Sequence, residues 1–195
     1  MRSRRVSAAG LSLVEALFAL SLTMTAAGVA VPALLEIDRA VKLRSAASFA
    51  LGYLQRVRLE AVSRSATVGI RFRPVGDDWF LGAYIDANGN GVRSADVAAG
   101  VDPALDEEIA FSARAASVRV ARLAGVPDVN GGAGGEAVRF GASRIASFAR
   151  DGSASSGSLY LTDGRTQMAV TVTAATGRVR LRQWDAGRSA WRQIR

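Results

Sequence analysis

The chain has 195 residues, and its 25 lysines and arginines outnumber its 17 aspartates and glutamates to give a formal net charge of +8 at pH 7. Cysteine and histidine are absent, which excludes disulfides and thiolate chemistry and removes the commonest general base, the commonest zinc ligand and the Ser-His and Cys-His nucleophile pairs. The length fits one anchored domain, and an arginine-dominated surplus favours solubility and permits polyanion contact without specifying a partner.

Residues 1–10 are short, polar and positive, and end at Gly10. From Leu11 to Leu35 the chain is apolar, broken by one carboxylate at Glu15 and one proline at Pro32. At about 1.5 Å per residue this run is long enough to cross a hydrocarbon core of about 30 Å. The small residues Ala8, Ala9 and Gly10 precede the run, the reverse of a secretory signal, so the apolar part is expected to survive processing. The positive flank is expected to stay cytoplasmic and the C-terminal body to lie outside. An ionised side chain in hydrocarbon costs about 2.5–3.5 kcal/mol on insertion scales, so Glu15 needs a partner or a task. A plain signal anchor with one odd glutamate is the alternative.

Gly10 followed by Leu-Ser-Leu-Val-Glu resembles the processing site of type IV prepilins and pseudopilins. The resemblance implies that a prepilin peptidase cuts after Gly10 and methylates the new N-terminus at Leu11, a position where the family usually has phenylalanine. It also matches Glu15 to the glutamate five residues into the mature chain, and Pro32 to a helix-kinking proline. Physically, a carboxylate beside the α-amino group of a neighbouring helix neutralises both charges in a low-dielectric bundle and sets the axial register of assembly.

Beyond Pro32 the pattern becomes amphipathic. Ile37, Val41, Ala47, Leu51, Leu54, Val57 and Ala61 recur at three- or four-residue steps apart from a gap around Arg44, with charged residues on other faces. One helix from Leu11 to about Arg64 is expected, its outer half packed on a sheet, with a bare coiled coil as the alternative. Strands are then predicted over Thr67 to Arg73, Trp79 to Ile85, Ile109 to Phe111, Val118 to Leu123, Val138 to Phe140, Leu159 to Leu161, Met168 to Thr173 and Arg178 to Arg182, separated by Gly, Asp, Asn or Pro turns. The expected fold is α+β: a long N-terminal helix packed on an antiparallel sheet or sandwich. The expected division is a leader over 1–10, a membrane and assembly helix over 11–35, and a periplasmic globular domain over 36–195.

Three further segments resemble the GspH/FimT type of minor pseudopilins and minor pilins: a tryptophan strand leading into Asp86 to Gly91, the stretch from Phe148 to Gly152, and Gly177-Arg178-Val179-Arg180. The resemblance implies an inner-membrane subunit of a type IV pilus or type II secretion pseudopilus, with other pilins, the prepilin peptidase and an inner-membrane assembly platform as partners and no cofactor. Asp86, Asn88, Asn90 and Gly91 match positions 1, 3, 5 and 6 of a calcium loop, but position 12 is Val97; a tight turn is the better account, with Asp96 as a substitute carboxylate. Gly131, Gly132, Gly134 and Gly135 lack a following Gly-Lys-Ser/Thr and read as a flexible linker. Arg178, Arg180 and Arg182 alternate onto one face with Trp184, a row able to neutralise successive phosphates and stack a base. The Gly-Arg-x-Arg pattern also resembles the tail of FimT-like minor pilins implicated in DNA uptake. The alternative for that row is the solvated outer face of a terminal strand. Serine with arginine or carboxylates alone gives no convincing catalytic set, so no enzyme is expected.

Overall fold

The computed structural model describes residues 12–132 and 135–194. Gly10 and Leu11, the expected processing site, lie outside the described residues, as do Gly134 and Arg195.

Helix α1 runs Leu13–Ser63 and continues through Pro32. Its start is set by Ser12, whose carbonyl accepts the Ala16 N–H at 3.0 Å and whose Oγ accepts the Glu15 N–H at 3.2 Å. These bonds satisfy donors that the first turn otherwise leaves orphaned. Pro32 has no N–H to give the carbonyl four residues back, at Gly28. The chain divides into two compact units between Asp38 and Arg39. In the first, every described residue is exposed, and an 18-residue window of α1 has a mean hydropathy of 1.8 with none of it buried. By length and composition this helix can cross a membrane.

In the second unit, α1 buries Leu43, Ala46, Ala47, Ala50, Tyr53, Leu54, Val57 and Ala61, a stripe at helical spacing. The stripe differs from the expected one at its start: Val41 is 60% exposed, as is Ile37 in the first unit, and Leu43 beside Arg44 opens the seam. Only from Leu43 onward do strand side chains cover the helix, so the apolar residues before it remain uncovered.

Strands β1 (Val68–Val75), β2 (Asp78–Ile85), β3 (Ile109–Ala110) and β5 (Ile145–Phe148) form an antiparallel sheet in the order β3-β2-β1-β5. A second antiparallel sheet follows the order β4-β6-β7-β8-β9, from β4 (Val138–Arg139), β6 (Gly157–Thr162), β7 (Gln167–Thr173), β8 (Arg178–Asp185) and β9 (Ala190–Ile194). Alternation puts Val68, Ile70, Phe72, Leu81 and Ala146 of one sheet, and Leu159, Leu161, Val170, Val179 and Leu181 of the other, into one core with the α1 stripe. Phe72 and Phe140 stack at 5.4 Å with ring planes 6° apart.

Three expectations about the strands are corrected. Val118 to Leu123 is irregular apart from a bridge between Arg119 and Thr162, because the buried Gln167 side chain takes the place of a partner strand: it accepts the Leu123 N–H at 2.6 Å and donates to the Ala121 carbonyl at 3.1 Å. Phe111 opens the short helix α2 (Phe111–Arg114) instead of extending β3, with Asp78 Oδ1 accepting the Ser112 N–H at 3.1 Å. The arginine strand β8 is not terminal, since β9 pairs along it from Leu181 to Asp185.

Candidate functional site

Three regions of the molecule carry the groups singled out from the sequence. On α1, Glu15 shares an exposed, mostly apolar face with Phe18, Ala19, Leu22 and Thr25. Its backbone is held by Ser12, and its carboxylate makes no ion pair among the described residues. The Ser-x-x-Glu spacing of Ser12 and Glu15 is that of a capping box, a signal available in the sequence. Ser21 and Thr23 turn their hydroxyls back onto carbonyls three residues earlier, and Thr25 onto the carbonyl four residues earlier, so their polarity is spent within the helix. The apolar face therefore presents one unpaired charge.

On β8, alternation brings Arg178, Arg180, Arg182 and Trp184 to the face opposite Val179 and Leu181. Arg178 is exposed and the other three are half-buried. None of the three guanidiniums has an acidic partner among the described residues, whereas Arg73, Arg139, Arg144 and Arg192 are each paired with a carboxylate. Trp184 packs edge-on against Trp191 at 5.7 Å, so its ring is already partly engaged. Arg178 and Arg180 line a groove of about 380 Å³ with Arg58 and Gln55 of α1, three cations with no carboxylate among the lining residues. The two C-terminal segments that resemble the GspH/FimT type meet beside this groove. Gly177 adopts φ +58°, and a Cβ on it would stand 2.2 Å from the Gly152 carbonyl oxygen; the same carbonyl accepts Arg58 Nε–H at 3.2 Å.

The Asp86 loop takes the tight-turn form. Asp86 accepts the Gly89 and Gly91 N–H groups at 2.8 and 2.9 Å, and Asp96 Oδ2 accepts the Asn90 and Asn88 amides at 3.0 and 3.4 Å. Gly89 and Gly91 both have positive φ, as such a turn demands. Asp102, 1% exposed, accepts the Ala87 and Arg93 N–H groups and pins the loop from below. Among the described residues no three His, Cys, Asp or Glu side chains are placed to hold a metal ion.

Immediately before the glycines read as a linker, residues 126–130 form a strap over the outer face of the five-stranded sheet. Asp128, 3% exposed, accepts bonds from Tyr160 Oη at 2.7 Å, from the Asn130 N–H at 2.8 Å and from Arg139, with Arg122 at 3.9 Å. The Trp191 indole N–H donates to the Pro127 carbonyl at 3.1 Å, and Arg122 lies over the Tyr160 ring. Burial pushes the Asp128 carboxyl up, but the bonds from Asn130, Tyr160 and Arg139 outweigh it and hold the group below its ordinary value. Burial pushes the Tyr160 phenol up.

No family model, curated protein or solved structure matches the chain. What the chain can do therefore rests on its own geometry: an apolar helix with one carboxylate, and an arginine row on a rigid sheet.

Proposed function

We propose that the chain is a non-enzymatic structural subunit, a minor pilin or pseudopilin that is cut after Gly10, held in the inner membrane by α1 with its body in the periplasm, and then assembled at or near the tip of a type IV pilus or type II secretion pseudopilus. The observation that carries this reading is the character of α1. A single helix leaves every described residue up to Lys42 exposed, with Glu15 near its start, and buries a stripe from Leu43 onward in an α+β body. Exposed large apolar residues such as Leu17, Phe18, Leu22, Val29 and Leu34 need a lipid or helical environment. In a helical bundle, the Glu15 carboxylate pairs with the α-amino group of Leu11 on the neighbouring subunit. N-terminal sequencing of membrane-extracted protein tests the reading: it should begin at Leu11, and retention of Met1 or a cut beyond Val31 refutes it.

A second reading, DNA binding in DNA uptake, is supported by the absence of acidic partners for Arg178, Arg180 and Arg182. Duplex binding by the full chain should weaken steeply with salt. Alanine at all three positions should flatten the log–log slope by roughly 2 to 3 units, the share of three phosphate contacts. Salt-insensitive or undetectable binding at low ionic strength rules it out.

A further inference from the structure

The outer face of the five-stranded sheet holds a polar pocket that neither assembly nor a polynucleotide groove requires. In register across four strands stand Arg139, Ser158, Thr171 and Arg180, and the next row runs Tyr160, Ala169, Arg182. Side chains in one such row share a face, and the small Ala169 leaves room between Tyr160 and Arg182. Over this floor the strap brings Asp128 and Asn130, closing a cavity of about 230 Å³ walled by Asp128, Asn130, Arg139, Ser158, Thr171 and Arg182. Gly157 forms part of its wall, where a Cβ would collide with Phe140 and the Arg139 carbonyl at 2.2 and 2.4 Å.

Two facts set the charge balance of the pocket. Asp128 is already committed to Arg139, Tyr160 and Asn130, so it does not neutralise Arg182. Arg182, which lines the pocket, has no carboxylate partner among the described residues, and its Nε is buried without a hydrogen-bond partner. A guanidinium that lines a pocket without a carboxylate of its own is met most strongly by a charge-assisted acceptor at its remaining N–H groups. Ser158 and Thr171 add nearly fully buried hydroxyls to the floor; that of Thr171 donates to the Arg180 carbonyl at 3.4 Å.

We infer that this pocket binds a compact oxyanion, the chemistry shared by phosphate, sulfate and carboxylate, with Arg182 as its principal cation. The site is independent of the assembly reading and distinct from the Arg58, Arg178 and Arg180 groove, whose lining shares no residue with it.

The test is isothermal titration of the full chain in detergent micelles with inorganic phosphate, sulfate or acetate, chloride being adjusted to fix ionic strength. Calorimetry is preferred to melting because excluded salts raise melting points without binding. Saturable one-site heat with any of the three supports the site, and their ranking identifies the source chemistry. Heats that match the chloride blank for all three overturn it whatever the variants do. Arg182→Gln should weaken binding about tenfold or more, the share of one charge-assisted bond, while Arg150→Gln on the exposed surface should not. Where Arg182→Gln lacks the wild-type circular dichroism spectrum, Arg182→Lys replaces it, keeping the charge but losing the planar fork, and should also bind more weakly. Undiminished binding by a folded Arg182 variant overturns the assignment.

Discussion

Replacing Asp128 with alanine tests whether the strap is an integral part of the body. The carboxylate is 3% exposed and gathers Tyr160 Oη, the Asn130 N–H and Arg139, with the nearly buried Arg122 guanidinium 3.9 Å away. Its removal leaves the fully buried Tyr160 hydroxyl without its acceptor and Arg122 without its nearest carboxylate. Breaking a buried pair costs about 3–5 kcal/mol, but Arg139 is 46% exposed and can turn to water, so its share is small and about 2–4 kcal/mol remains. Urea unfolding of the full chain in detergent, followed by tryptophan fluorescence, reads this directly because Trp191 is bonded to the strap at Pro127. With a slope of about 1–3 kcal/mol per molar urea, the midpoint should fall by about 1 M or more. The acid limb gives a second check. The Asp128 carboxyl is held below its ordinary value of 3.8 in the folded state, so its stabilisation is complete above that pH and is lost as pH falls through the folded value. Asp128→Asn should therefore flatten the stability profile below about pH 4 while keeping the side-chain shape. An unfolding free energy within about 0.5 kcal/mol of wild type for Asp128→Ala, with an unchanged acid limb, refutes the reasoning.

Gly177→Ala combines a strained φ of +58° with a Cβ 2.2 Å from the Gly152 carbonyl, and should lower stability by about 2–3 kcal/mol in the same urea assay. Gln167→Ala removes the side chain that stands in for a strand beside Ala121 and Leu123; about 1–3 kcal/mol should be lost, with faster amide exchange at Leu123. Glu15→Ala should leave the urea midpoint of the body unchanged but abolish incorporation into filaments, measured by immunogold or shear-fraction blotting. Ser12→Ala removes the first-turn cap, and amide exchange at Glu15 should quicken by the equivalent of about 1 kcal/mol.

Periodicity made the helix and most strands legible, because both depend on local patterns that burial then rewards. The α1 stripe from Ala47 to Ala61 and the alternation of Val68, Ile70 and Phe72 are examples. What remained hidden was non-local. Val118 to Leu123 has the composition of a strand, yet at Ala121 and Leu123 its hydrogen bonds go to the side chain of Gln167, 44 residues away from Leu123. Asp128 and Arg139 lie in and beside a glycine-rich stretch that carries no periodic signal, so the strap emerges only once Tyr160 is placed beneath it. β9 was missed because Ala190-Trp-Arg-Gln-Ile194 alternates weakly, and its pairing with β8 comes through the turn after Asp185. At the candidate site, alternation alone assigned Arg178, Arg180 and Arg182 to one face, but their separation into a groove and a pocket depends on Arg58, Arg139 and the strap.

The sheet edges set how such a molecule meets its own copies. β3 and β4 have two residues each, β5 has four, and β9 has five and carries Arg192. Short, charged edges offer little backbone for another chain to pair with, which is how proteins guard against open-ended strand addition. Growth by strand addition is thereby discouraged, which leaves the exposed apolar length of α1 as the surface on which the assembly reading proposed above depends.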